Sequence, residues 1–208
     1  MKVASFLGKK GGVGKTINAH AAAHGLSMRG IPTAYVLTDQ RPLLSDETRV
    51  YTIIDGRTVA QLETAIATTR KASGAGILVL DGGGNRGPVD ALLASVSDLI
   101  ILPFSADDES VFMVDDELAE FPEALALPTD WPTNRQAMLV DQGYIDKLEA
   151  KHPGRILPAA PTTHSVRDLK LENFTGALLP PAQRYCRSLA RQIVQLLDAE
   201  QQEAAKVA

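Results

Sequence analysis

The chain has 208 residues, of which 45% are hydrophobic and 22% are charged, the balance of an ordinary globular domain with its own core. The formal net charge of -4 excludes attraction of nucleic acid over the whole surface, so DNA binding would need a local basic patch. The single cysteine, Cys186, excludes an intrachain disulfide framework and an iron–sulfur cluster that draws two cysteines from each subunit.

Targeting and membrane signals are the next features to consider. Residues 1–7 are too short for a signal-peptide core, and no apolar run approaches the roughly 20 residues that a membrane span requires. A soluble cytoplasmic protein is therefore expected. No internal repeat or linker is visible, so we expect one domain over residues 1–200 and a frayed tail over residues 201–208.

Apolar segments of strand length alternate along the chain with longer helical segments. The predicted strands are residues 3–7, 34–37, 50–54, 77–80, 99–102, 137–140 and 155–157. The predicted helices are residues 15–28, 59–71, 89–95, 110–121, 143–151 and 182–200, and the proline-rich residues 127–132 predict a loop. This alternation predicts an α/β fold with a mostly parallel, doubly wound sheet flanked by helices.

A glycine-rich loop, Lys10-Gly11-Gly12-Val13-Gly14-Lys15-Thr16, follows the first strand directly and leads into a helix. Glycines let backbone N–H groups turn towards phosphate oxygens, and the helix N-terminus adds the positive end of its dipole. Lys15 is expected to reach the β- and γ-phosphates, and the Thr16 hydroxyl to ligate Mg²⁺. The first glycine of the usual pattern is replaced by Lys9. The sequence nevertheless predicts a P-loop NTPase that binds ATP with Mg²⁺.

The lysine in front of the glycine pair narrows the class of P-loop. Lys10 resembles the additional lysine in the deviant P-loop of the ParA/MinD family of dimerising ATPases. In that family this lysine crosses the dimer interface to the partner's nucleotide, since two triphosphates that face each other need cations between them. The resemblance implies an ATP-dependent homodimer in which Lys10 and Lys15 are catalytic. A solvated loop lysine is the alternative for Lys10, and it is the expected reading of Lys9.

The end of the second strand, residues 35–39, resembles the family segment that normally ends Asp-x-Asp-Pro-Gln. In a gap-free alignment Asp39 falls on the second acid, which positions the attacking water, and Leu37 falls on the first. Loss of the first acid predicts slow hydrolysis. A competing alignment anchored on Pro42 would make Asp39 the first acid and leave Arg41 at the catalytic position. The gap-free alignment is preferred because it preserves the lengths of the helix and the strand.

A second acid follows a buried strand. Ile77 to Asp81, followed by Gly82 and Gly83, resembles the family's Walker B segment, in which the acid holds a Mg²⁺-bound water and small residues respond to the γ-phosphate. Residues 158–167 resemble the segment that passes the nucleotide base. The resemblance thus assigns the nucleotide to Lys10, Gly11, Gly12, Val13, Gly14, Lys15, Thr16, Ile17, Asp81, Pro161 and Thr162. It assigns Mg²⁺ to Thr16, Asp39 and Asp81.

The last predicted helix carries an apolar face and a basic face. Ala182, Tyr185, Leu189, Ile193 and Leu196 cluster on one side, and Arg184, Arg187 and Arg191 fall within about 60° of one another on the other. ATP-bound dimers of this family bind DNA without sequence preference through basic residues near the C-terminus. The arginine stripe, with Arg167 and Lys170, is therefore a candidate DNA surface, and a solvated outer face is the alternative. The helix lacks the pattern of a membrane-surface anchor.

The resemblance is to small ParA-type partition proteins without an N-terminal helix-turn-helix domain. It implies an ATPase that closes as a dimer on ATP, associates with nucleoid DNA, and is released when a ParB-like or other adaptor protein stimulates hydrolysis. The cargo would be a plasmid, a chromosome region or a protein assembly. The alternative is a metabolic ATP-dependent enzyme on the same fold, such as a dethiobiotin-synthetase-like ligase, which needs a substrate pocket beside the γ-phosphate and has no use for Lys10.

Overall fold

The computed structural model describes residues 1–39, 42–71, 76–83 and 87–207. The strands are β1 (Lys2–Phe6), β2 (Thr33–Leu37), β3 (Thr52–Asp55), β4 (Ile77–Asp81), β5 (Leu99–Ser105) and β6 (Leu125–Thr129). The helices are α1 (Lys15–Ser27), α2 (Val59–Lys71), α3 (Gly87–Val96), α4 (Asp108–Glu120), α5 (Arg135–Lys151) and α6 (Pro180–Val207), with a 3₁₀ helix over His164–Lys170 before α6.

The strands form one parallel sheet in the order β3-β2-β4-β1-β5-β6. Alternate residues of the strands face two separate apolar clusters, as the strand period of two requires. Ala4 and Phe6 of β1 face α1 and α6, whereas Val3 faces the cluster built with α2, α3, α4 and α5. The predicted α/β fold with a parallel sheet between two layers of helices is confirmed. Because all strands run the same way, their carboxyl ends meet at one edge.

Two sequence predictions on the β6 side of the sheet are wrong. Residues 137–140, predicted as a strand, lie in α5, where the Asn134 side chain caps the helix by accepting hydrogen bonds from Gln136 N and Ala137 N. Residues 125–129 form β6, although residues 127–132 were expected to be a loop. Pro128 is accommodated because β6 is the edge strand, where a missing N–H costs no ladder bond.

Smaller differences concern the ends of elements. The predicted strand at residues 155–157 is reduced to an isolated parallel bridge between Ala126 and Ile156. Residues 201–207, expected to be a tail, continue α6. Within the described part of the chain, none of the helices combines the length and the apolar character that a membrane crossing needs.

Candidate functional site

The loop between β1 and α1 borders a cavity of about 490 Å³ at the carboxyl edge of the sheet. Eleven of the residues predicted to contact nucleotide, metal or DNA line it: Gly11, Gly12, Gly14, Lys15, Thr16, Ile17, Asp39, Pro161, Thr162, Arg167 and Lys170. Lys10, Val13 and Asp81 are not among its described lining residues. The structure therefore brings together the loop, the end of β2 and the segment before α6, which are far apart in sequence.

Two glycines hold the loop in a conformation that other residues rarely adopt. Gly12 and Gly14 have φ angles of 82° and 92°, in the left-handed region. The loop is also tied at its far end, because Thr129 Oγ1 at the end of β6 donates a hydrogen bond to Val13 O over 3.0 Å. Asn18 Nδ2 donates to Gly14 O over 2.9 Å. The start of α1, with its free backbone N–H groups, is thus held facing the cavity.

Lys15 is folded back across this loop. Its ammonium group donates a hydrogen bond to Lys10 O over 2.5 Å, and the residue is 6% exposed. Burial lowers the pKa of Lys15, and the negative charges of Asp81 and Glu117 oppose that shift. A cation held in this way can exchange its carbonyl contact for phosphate oxygens.

The oxygen ligands predicted for Mg²⁺ differ in their exposure to the cavity. Thr16 and the half-buried Asp39 line the cavity, whereas Asp81 is buried at the end of β4 with 1% exposure. No group of three or more His, Cys, Asp or Glu side chains in the described ranges could hold a metal ion by itself. A hydroxyl and two carboxylates fit Mg²⁺, which prefers oxygen ligands and is held mainly by phosphates and water.

Lys10 lies beside the cavity and is bound to acids of α4. Its ammonium group is 2.8 Å from Asp107 Oδ1 and 2.9 Å from Glu109 Oε2. The hydrogen bond with Asp107, followed by that with Glu109, raises the pKa of Lys10. Burial alone would raise the pKa of Asp107, but hydrogen bonds from Lys10 and Ser110 outweigh it and lower that pKa. Lys10 is therefore paired within the chain rather than solvated, while its neighbour Lys9 is half exposed and pairs with Glu120 at 2.6 Å.

Sequence reasoning missed several residues that shape the loop. Glu117 of α4 is 5% exposed and accepts a hydrogen bond from the Lys9 backbone N–H. Burial raises the pKa of this carboxyl group. Asn18 is also held by the Tyr185 hydroxyl of α6, so the last helix reaches the loop. Asn18 could have been found from its place one turn after Gly14, but Glu117 and Tyr185 carry no local signal.

The candidate DNA-binding residues are all exposed but fall into two groups. Arg167 and Lys170 lie on the 3₁₀ helix and line the nucleotide cavity. Arg184, Arg187 and Arg191 lie on the outer side of α6. The opposite side of α6 is apolar, as the sequence predicted, and it is buried against α1. It includes Cys186, whose pKa is raised to about 12 by burial.

No family model matches the chain, and no curated protein sequence matches it. Several solved structures, in contrast, are similar to the chain over most of its length. The cell division protein MinD of Aquifex aeolicus superposes with a TM-score of 0.72 and 12% identity, covering 94% of this chain and 97% of MinD. A protein of Borrelia burgdorferi that is assigned to plasmid partition and is bound to AMPPNP gives a TM-score of 0.69 at 14% identity, covering 93% of this chain and 98% of that protein.

A third similar structure is a ParA family ATPase of Chlorobium tepidum, with a TM-score of 0.67 at 14% identity, covering 91% of this chain and 97% of that protein. All three likenesses extend over nearly the whole of both chains. Together with the loop, the parallel sheet and the cavity at its carboxyl edge, they show that this chain has the P-loop fold of the MinD and ParA-type ATPases.

Proposed function

We propose that this chain is a ParA-type ATPase that dimerises around ATP, binds DNA without sequence preference in that state, and positions a cargo. The observation that carries the proposal is the loop at residues 10–16. It presents Lys15 and Thr16 to a nucleotide-sized cavity and holds Lys10 beside that cavity at the same edge of the sheet. The similar Borrelia burgdorferi protein is assigned to plasmid partition, and the similar Aquifex aeolicus protein is a cell division protein.

The residues around the cavity have distinct roles in this proposal. Lys15 exchanges the Lys10 carbonyl for the β- and γ-phosphate oxygens. Thr16 and, through water, Asp39 and Asp81 would hold Mg²⁺, which neutralises charge on the phosphates when bound. Asp39 accepts a hydrogen bond from the attacking water and orients it towards the γ-phosphate. Leu37 supplies no carboxylate at this edge, so hydrolysis is slow.

Lys10 would have to change partners for the dimer to form. In the single chain its ammonium group is held by Asp107 and Glu109. Phosphate oxygens of a nucleotide bound to a second copy offer a stronger set of acceptors, because they carry more negative charge in a site that closure desolvates. The dimer is thus favoured by ATP and lost when the γ-phosphate leaves.

DNA binding would depend on the exposed cations of the 3₁₀ helix and α6. The chain carries a net charge of -4, so only a concentrated positive surface can hold a polyanion. A dimer doubles the number of phosphate contacts, which gives the ATP state its higher affinity for DNA. A partner protein that stimulates hydrolysis then releases the chain, and directed release positions the cargo to which that partner is attached.

The dimer is tested by light scattering with a slowly hydrolysed ATP analogue and with ADP. Lys10→Ala should bind ADP normally but remain monomeric with the analogue. Lys9→Ala is the matched control, because it removes the neighbouring loop lysine, which is paired with Glu120. A Lys10→Ala variant that dimerises like wild type would remove Lys10 from the interface.

The catalytic role of Asp39 is tested by the lifetime of the ATP dimer. Asp39→Ala should bind Mg·ATP but stop hydrolysis, so a dimer formed with ATP itself should persist as long as one formed with the analogue. Hydrolysis at the wild-type rate would show that Asp39 does not position the water.

The DNA surface is tested by a salt titration of DNA affinity in the presence of the analogue. The triple variant Arg184→Ala, Arg187→Ala, Arg191→Ala should bind DNA weakly and with a shallower salt dependence, while the dimer remains. The matched control removes the exposed cations Arg70, Lys71 and Arg135 of α2 and α5. Equal slopes in wild type and in the α6 variant would place the DNA surface elsewhere.

A further inference from the structure

A buried tyrosine of β2 holds the carboxylate at the end of β4. The Tyr35 hydroxyl donates a hydrogen bond to Asp81 Oδ2 over 2.6 Å, and each residue is 1% exposed. A phenol that donates to one carboxylate oxygen fixes the plane of the group, so the other oxygen takes a defined direction. Both residues lie at the level of the phosphate loop, because β1 pairs with β4 through the Phe6–Asp81 step.

The neighbour of Asp81 in the β2 ladder is a leucine. Leu37 is in register with Asp81, whereas Tyr35 is in register with Val79. Residues two apart on a strand point to the same face, and Tyr35 and Leu37 both belong to the apolar cluster beneath α1. A leucine side chain cannot form a hydrogen bond with Asp81. The longer side chain of Tyr35, two residues earlier on the same strand, donates that hydrogen bond instead.

The ring of Tyr35 is itself held by an aromatic stack. His20 of α1 stacks on it with ring centroids 4.0 Å apart and planes inclined by 16°. His20 Nδ1 forms a hydrogen bond of 2.8 Å with the Tyr51 hydroxyl. His20 also lies one helical turn after Thr16, so the residue that orients the tyrosine and the proposed Mg²⁺ ligand share one rigid helix.

We propose that Tyr35 is a positioning residue that directs the Asp81 carboxylate towards the Mg²⁺ of bound Mg·ATP. The inference rests on the proposed function, because Asp81 faces a metal only if the loop binds Mg·ATP. Groups that orient metal-holding carboxylates commonly change metal affinity by 10- to 100-fold when they are removed. Tyr35 therefore tunes how strongly Mg²⁺ tightens ATP binding in this chain.

The test is a titration of Mg²⁺ against the affinity for a fluorescent ATP analogue. Tyr35→Phe keeps the ring and the stack on His20 but removes the hydroxyl. We expect it to raise the Mg²⁺ concentration for half-maximal tightening by about tenfold, with unchanged affinity in EDTA. Thr69→Val is the matched control, because it removes a buried hydroxyl of α2 on the other face of the sheet, and it should keep the wild-type Mg²⁺ dependence.

A double variant distinguishes positioning from general loosening. If Tyr35 acts through Asp81, the pair Tyr35→Phe/Asp81→Asn should need no more Mg²⁺ than Asp81→Asn alone. An unchanged Mg²⁺ dependence in Tyr35→Phe, an equal loss of affinity in EDTA, or the same shift in Thr69→Val would each overturn the inference. A wild-type chain that binds no nucleotide at any Mg²⁺ concentration would instead overturn the proposed function.

Discussion

Helices α1 and α5 lie on opposite faces of the same sheet, and they differ most in how much of each is buried. Of the 13 residues of α1, ten are buried, including Lys15, His20 and His24. Of the 17 residues of α5, all of which the structure describes, Leu148 is the one that is buried. Leu139 and Val140 of α5 are 67% and 64% exposed.

The difference in burial reflects where each helix lies in the fold. α1 lies on the central strands of the sheet and is covered by α6, whereas α5 packs on α4 as an outer helix. The proposed chemistry is thus carried by a helix that is packed between the sheet and α6. The outer helix is free to vary without disturbing the loop. Substitutions on α1 should therefore have large effects, and comparable substitutions on α5 should have small ones.

The largest effect is expected from Lys15→Ala at the start of α1. It removes the cation that would meet the β- and γ-phosphates and should weaken Mg·ATP binding about 1,000-fold, a cost within the range for a desolvated charge pair. Isothermal titration calorimetry measures it. Lys147→Ala, which removes a cation of α5, should bind Mg·ATP like wild type. Similar affinities for wild type and Lys15→Ala would contradict the role of the loop.

The packing of α1 against α6 is tested by Gly25→Ala. A Cβ atom at Gly25 would lie 2.0 Å from Cys186 O and 3.0 Å from Ala190 Cβ, so one of the two helices has to move. We expect the free energy of unfolding in urea to fall by about 3 kcal/mol, the upper range for overpacking of a core. A loss of less than about 1 kcal/mol would mean that the two helices separate easily.

Buried His24 should make α1 sensitive to acid. Burial lowers the pKa of His24 from 6.5 to about 4, so the unfolded chain binds a proton more readily between these values. The contribution of the neutral ring to stability is complete above pH 6.5 and is lost as the pH falls from 6.5 to 4, with about 2 kcal/mol of it lost by pH 5.0. His24→Phe should remove this part of the pH dependence in urea unfolding at pH 7.5 and 5.0. Parallel losses in wild type and variant would exclude His24 as the cause.

The smallest effect, and one of opposite sign, is expected from Gly143→Ala in α5. No atom lies within 4 Å of the position of a Cβ at Gly143. Replacing a helical glycine by alanine where there is space should raise the free energy of unfolding by about 0.5 to 1 kcal/mol. Destabilisation in a urea titration would show that α5 is packed more closely than its exposure indicates.

The same two helices show what could be predicted from the sequence. The start of α1 follows a short motif whose glycines and lysine have meaning only between a strand and a helix, so the loop and the helix were predicted together. The apolar residues 137–140 of α5 predicted a buried strand, because sequence patterns assume that apolar runs are covered. In the folded chain Leu139 and Val140 are largely exposed, and the Asn134 side chain caps the helix that contains them.

The contacts that hold the site could not be predicted from the sequence. Glu117 and Thr129 reach the loop from elements more than 100 residues further along the chain. The hydrogen bond from Tyr35 to Asp81 depends on the pairing of β2 with β4, which no local pattern specifies. Gln40 and Arg41, which occupy the place of Pro-Gln in the family motif, and Gly84, the third glycine after Asp81, lie outside the described residues.

The most direct test of the account is the affinity for duplex DNA of random sequence, measured at one salt concentration with a slowly hydrolysed ATP analogue and with ADP. The account predicts strong binding with the analogue and weak binding with ADP, because dimerisation on ATP joins the exposed cations of two chains in one DNA-binding assembly. Equal affinity in the two states, or no binding in either, would contradict an ATP-gated association with DNA.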